Sequence, residues 1–185
     1  MHKKTIIILA ITALTLLTIV PVFAIKPAGP SSTNGLEKGK NDHLYLYEKN
    51  PDTWEIQEDP AWAKMNINNK QGKFVLNAHG LTPEIEYALI CYQDEWPGLG
   101  SLSLGTGTAD EGGNVHIKGP IDVENLPSYV YPIGEYDEEY PVEGSKIWLV
   151  LAEDYDSESD PDQMVGWTPT EYLFEFDLIN QQIIE

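Results

Sequence analysis

The sequence predicts an all-β protein, a single antiparallel β-sandwich of the immunoglobulin-like or jelly-roll kind with about eight strands. Three observations carry this expectation. Apolar and polar residues alternate with a period of two in several short segments, clusters of Gly, Pro, Asn and Asp separate those segments, and no helical period persists over three turns.

Taken in order, strands are expected over residues 44–49, 62–67, 74–79, 84–91, 102–108, 114–118, 147–152 and 172–179. The alternation is clearest in the last, where Tyr172, Phe174, Phe176 and Leu178 form an aromatic face and Leu173, Glu175, Asp177 and Ile179 a largely acidic one. The segment 147–152 is apolar throughout and suits a central strand covered on both faces. Between 102–108 and 114–118, Asp110-Glu111-Gly112-Gly113-Asn114 supplies glycines for the positive φ angles of a hairpin turn. Residues 119–145, with Pro120, Pro127, Pro132 and Pro141, read as one long loop.

The chain begins with Lys3-Lys4 followed by an uncharged run to Ala24, ending Val22-Phe23-Ala24. This is the layout of a signal peptide, and export with cleavage after Ala24 is expected. An uncleaved N-terminal membrane anchor is the alternative, since roughly 20 apolar residues also cross a hydrocarbon core. The organisation is then a signal peptide over 1–24, a Gly/Pro/Ser-rich flexible linker over 25–42 and one β-sandwich domain over 43–185.

The whole chain carries a formal charge of −19, with thirty acidic residues against eleven lysines and no arginine. Loss of Lys3 and Lys4 leaves nine lysines and a charge of −21. Without the planar guanidinium fork, and with a strongly negative field, no nucleic-acid partner and no anionic membrane-surface binding are expected. Cys91 is the one cysteine; it sits in an apolar strand and is read as a buried hydrophobe. No nucleophile elbow, phosphate loop or zinc-protease motif occurs, so no enzymatic activity is expected.

Gly80-Leu81-Thr82-Pro83, Glu86-Tyr87-Ala88-Leu89-Ile90, Gly105-Thr106-Gly107-Thr108-Ala109, Gly113-Asn114-Val115-His116-Ile117, Lys146-Ile147-Trp148-Leu149-Val150 and Gly166-Trp167-Thr168-Pro169-Thr170-Glu171-Tyr172 span most of residues 44–178. In these the chain resembles uncharacterised secreted proteins found mainly in methanogenic archaea. The resemblance implies an extracytoplasmic β domain and carries no activity with it.

Two functional readings follow. In the first, the sandwich is a noncatalytic extracellular or cell-surface domain, structural or adhesive, and Asp154, Asp156, Glu158, Asp160 and Asp162 form a candidate calcium loop, because hard cations collect carboxylate oxygens. Calcium is the one cofactor this reading calls for. The stretch departs from an EF-hand, with Ser159 at the sixth position and Val165 at the twelfth. In the second, the protein is a small secreted glycan-binding or glycan-active protein, with Trp96 in a turn-rich loop and Tyr129, Tyr131, Tyr136 and Tyr140 in the long loop as stacking platforms. The partner is accordingly an extracellular protein or glycan. Trp148 and Trp62 are read as core, and His43, His79 and His116 as surface histidines without a metal.

Overall fold

The computed structural model describes residues 41–132 and 141–183. The segments expected as signal peptide and, up to residue 40, as linker, together with Tyr136 and Tyr140, lie outside the described residues. Twelve strands carry the fold: β1 (Asn41–Tyr47), β2 (Trp62–Asn68), β3 (Lys73–His79), β4 (Glu86–Tyr92), β5 (Leu102–Thr108), β6 (Val115–Pro120), β7 (Tyr129–Tyr131), β8 (Val142–Leu151), β9 (Tyr155–Asp156), β10 (Gln163–Met164), β11 (Leu173–Glu175) and β12 (Ile179–Ile183). Every ladder is antiparallel. Three one-turn 3-10 segments are the helical elements among the described residues, and none is long and apolar enough to cross a membrane.

The expected all-β antiparallel fold is present, with its two faces joined into one nearly closed sheet in the order β5-β4-β8-β11-β1-β2-β3-β6. Alternation explains the interior. Leu44 and Leu46 of β1, Ala63, Met65 and Ile67 of β2, Phe74, Leu76 and Ala78 of β3, and Val115 and Ile117 of β6 are all buried, while their neighbours in sequence face outward. Register holds them together: Met65 lies opposite Leu76, which lies opposite Ile117. A one-residue slip would turn each of these sets to solvent. Each fully buried aliphatic side chain contributes about 1.5–3 kcal/mol.

The hairpin expected at 110–114 is half right. The turn forms, with the Asp110 carboxylate accepting from Gly112 N and Asn114 N at 2.9 Å each. The two strands it joins, however, are the opposite ends of the sheet and share no ladder among the described residues. The turn carries the chain across the closing gap, where Gly113 O accepts from Leu81 N. At the seam β5 lies so close to β6 that a Cβ on Gly107 would come 3.1 Å from both Ile117 and Val115. The composition cue fixed a turn, and the partner choice was tertiary.

Two further expectations are corrected. The supposed loop 119–145 contains β7 and the start of β8; the first half of β8 is flanked by β7 and β12, and its second half by β4 and β11. The supposed single strand over 172–179 is broken into β11 and β12, and its acidic face is not solvated at Glu175, which is 3% exposed. Register turns Leu173 and Glu175 inward, opposite Leu149 and Leu46, and Phe174 outward, where Trp54, Trp148 and Trp167 pack on it and cover the outer side of β11 as well. That covered outer face holds the candidate site.

Candidate functional site

On the outer face of β4 and β8, Tyr92 and Trp148 stack with ring centroids 3.8 Å apart and planes 10° from parallel. Strand alternation puts them there: Leu89, Cys91, Ile147 and Leu149 point into the core, so Ile90, Tyr92, Lys146 and Trp148 face the other way. The stacked pair is buried and forms the floor of a cleft of about 470 Å³, lined by Trp54, Tyr92, Asp94, Glu95, Trp96, Lys146, Trp148 and Trp167.

Three of those tryptophans are exposed to a degree unusual for their size: Trp54 at 48%, Trp96 at 53% and Trp167 at 45%. Each sits on a loop held rigidly from beneath. Trp54 lies edge-on to Phe174 at 5.1 Å. Its turn is closed by Asn50, whose Oδ1 accepts from Asp52 N and Thr53 N and whose backbone O accepts from Trp54 N. The backbone at Trp54 has φ +60°, a left-handed conformation that costs a bulky residue about 1–2 kcal/mol and is retained where structure around it over-determines it.

Trp96 and Trp167 meet each other edge-on at 5.6 Å. Trp167 also contacts Trp148 at 6.0 Å and Tyr172 at 5.6 Å, so rim and floor are one aromatic assembly. The Trp96 loop folds onto Tyr92 through Gly98, whose φ is +74° and where an added Cβ would fall 2.4 Å from the tyrosine ring. Ser101 Oγ donates to Gly98 O and accepts from Gln93 N, tying the loop's two ends.

The residues of the expected calcium loop make the following contacts. Asp154 accepts a 2.5 Å hydrogen bond from Tyr172 Oη, and its backbone O accepts from Val165 N and Gly166 N. Its carboxylate occupies the space a Cβ on Gly166 would need, at 1.8 Å. Any larger residue before Trp167 would have to displace that carboxylate from Tyr172. Asp162 accepts from Tyr155 Oη at 3.1 Å, its backbone O accepts from Gly100 N, and Met164 N donates to Pro97 O. Asp156 accepts from Glu158 N and Ser159 N within its own turn. Among the described residues no group of three or more His, Cys, Asp or Glu is placed to hold a metal. The acidic stretch thus acts as a clamp that fixes the Trp167 loop through Asp154 and the Trp96 loop through Asp162.

Polar groups complete the cleft. Lys146 Nζ forms a 2.8 Å ion pair with Asp94 and also lies 4.3 Å from the centroid of the Tyr131 ring. Burial, with Asp94 nearby, pushes the Tyr92 phenol up to about 12. Tyr155 and Tyr172 are pushed further up, by burial first and by their bonds to Asp162 and Asp154 second. Burial likewise pushes the Cys91 thiol up to about 12, as expected of an inert core residue.

Of the expected glycan platforms, Trp96 is in the cleft. Tyr131 is buried beneath Lys146, with Tyr129 packed on it at 5.1 Å, so the ring of Tyr131 is not available to a ligand. Trp54 and Trp167 were missed, although both carry the signal that singled out Trp96, a tryptophan among turn residues: Pro51-Asp52-Thr53-Trp54 and Gly166-Trp167-Thr168-Pro169. Trp148 is core as expected. Trp62 is only half-buried, on the outer face of β2 beside His79 at 4.8 Å. No protein-family model, no curated protein and no solved structure matches the chain.

Proposed function

We propose that the protein is an exported, noncatalytic carbohydrate-binding domain whose ligand stacks in the cleft between Trp54, Trp96 and Trp167. The observation that carries this reading is the convergence of three half-exposed indoles over one stacked aromatic floor. Exposing that much apolar ring surface in one place is disfavoured unless a partner covers it. A sugar ring suits such a place, because its C–H-rich face meets the negative face of an indole while its hydroxyls stay at the rim. Asp94, Glu95 and Lys146 are there to accept from and donate to them.

Binding rather than turnover fits the carboxylates. Glycoside hydrolysis uses two carboxyls on opposite sides of the scissile bond. Here Asp94 and Glu95 are adjacent in the chain, and Asp94 is engaged by Lys146.

Affinity electrophoresis against cello-, xylo-, manno- and malto-type polysaccharides tests the proposal. The wild-type protein is expected to be retarded by at least one of them. Trp96→Ala and Trp167→Ala should each weaken that retardation by tenfold or more, about 1.4 kcal/mol or above, in keeping with central aromatic anchors. Retardation unchanged by both substitutions, or absent against the whole series, contradicts the proposal.

A further inference from the structure

A second surface stands apart from the aromatic cleft. Six lysines lie among the described residues, and three of them, Lys64, Lys73 and Lys118, point outward from β2, β3 and β6. All three described histidines share that outer face: His43 on β1, His79 on β3 and His116 on β6. The ladder makes it a grid. Tyr45, Lys64, Asn77 and His116 form one row across the strands, and His43, Asn66, Val75 and Lys118 the next. No outward position of these rows is Asp or Glu, in a chain with thirty of them. Asp110, bonded to Asn114, marks the boundary.

We infer that this outer face of β1, β2, β3 and β6 binds a carboxylate-bearing polysaccharide. Charge complementarity is the first argument. At physiological salt a ligand feels charges within ~8 Å, so it meets the local lysines rather than the protein's net charge. Lys73 and Lys118 sit on a grid diagonal, with Cα atoms ~8 Å apart from the ~4.8 Å strand spacing and ~3.4 Å rise. Both are exposed, and both line an open concavity of about 760 Å³ at one end of the face.

The remaining groups select for hydroxyls. His116 Nδ1 donates to Asn77 Oδ1 at 2.8 Å, and His79 Nδ1 to Asn114 Oδ1 at 2.8 Å. In the neutral ring each Nε2 is then an acceptor. Ammonium donors, imidazole acceptors and side-chain amides on a flat face match a polymer carrying both carboxylates and hydroxyls. A protein partner fits less well, since stable interfaces have an apolar core and the outward positions of this face offer only Val75, Pro120 and half of Trp62 beside the buried tyrosines. Nucleic acid fits less well again, for want of arginine and of a dense line of phosphate contacts.

This inference does not depend on the aromatic cleft. Its test is affinity electrophoresis of the full-length protein in polygalacturonate and in fully methyl-esterified polygalacturonate. Wild type should be retarded by the acid form at least tenfold more strongly than by the ester. Lys73→Gln/Lys118→Gln should lose that difference, whereas Ser157→Glu/Thr170→Glu, which lowers the net charge equally elsewhere, and Trp96→Ala should keep it. Several results overturn the inference: no retardation of wild type, equal retardation by acid and ester, an unchanged lysine double variant, or tighter binding of duplex DNA. Self-association that the lysine variant abolishes, without any polysaccharide binding, would assign the face to a second copy of the chain instead.

Discussion

Trp148→Ala is expected to lower the unfolding free energy by about 3–5 kcal/mol and to abolish carbohydrate binding together. The side chain is 5% exposed at the middle of β8, stacked on Tyr92 and packed against Phe174 at 5.2 Å and Trp167 at 6.0 Å. Its removal opens a cavity under the rim that three aromatic neighbours cannot fill without leaving their rotamers. Urea unfolding followed by circular dichroism measures the cost. Trp62→Ala, on the same outer face at β2 but only half-buried, is the comparison and should cost clearly less. Equal costs, or a Trp148→Ala protein as stable as wild type, would mean that the floor is not part of the structural core.

The second large effect is alkaline unfolding. Burial raises the phenols of Tyr47, Tyr87, Tyr92, Tyr155 and Tyr172, and it raises the Cys91 thiol. In the unfolded chain a phenol ionises near pH 10 and a thiol near 8.5. In the folded protein these groups hold their protons, so the stability they contribute is complete below those values and is lost as pH rises toward about 12, where Cys91 and Tyr92 titrate in place. Each group withdraws at most about 1.4 kcal/mol per pH unit, reduced where solvent reaches the ring edge. Urea midpoints should be flat from neutral pH to about 8, begin to fall with Cys91 near 8.5 and fall steeply from about 10 as the phenols join. Tyr155→Phe and Tyr172→Phe should each make the fall shallower while costing stability at neutral pH, because they leave Asp162 and Asp154 without their hydroxyl donors. Tyrosinate absorbance in which all ten tyrosines ionise in one step near pH 10 contradicts this.

The strands at 62–68 and 73–79 were legible because one face of each is buried, so their alternation is the burial pattern itself. What alternation cannot supply is the partner of each strand. The 110–114 turn looked like a hairpin because Gly112 and Gly113 encode local geometry, while closure between β5 and β6 depends on every other strand being in place. The acidic stretch at 153–162 was legible as carboxylates close in sequence. The bonds that Asp154 accepts from Tyr172 and Asp162 from Tyr155 were not, since they cross distances only the fold creates.

The site shows the same division. Trp96 could be singled out by its turn context, but its alignment with Trp54 and Trp167, from segments more than a hundred residues apart, follows from β11 standing between β1 and β8. The acid-free face was likewise invisible until register put Lys64, Lys73 and Lys118 on one side of three paired strands.

The central claim is that the three rim tryptophans contact sugar, and the indole N–H signals in a nitrogen–proton correlation spectrum test it residue by residue. Five tryptophans give five such signals. On titration with the oligosaccharide of the retarding polymer, the signals of Trp54, Trp96 and Trp167 should shift together along one saturation curve, while that of Trp62 stays in place. Five unmoved signals, or a shift confined to Trp62, would contradict the assignment of the cleft as the binding site.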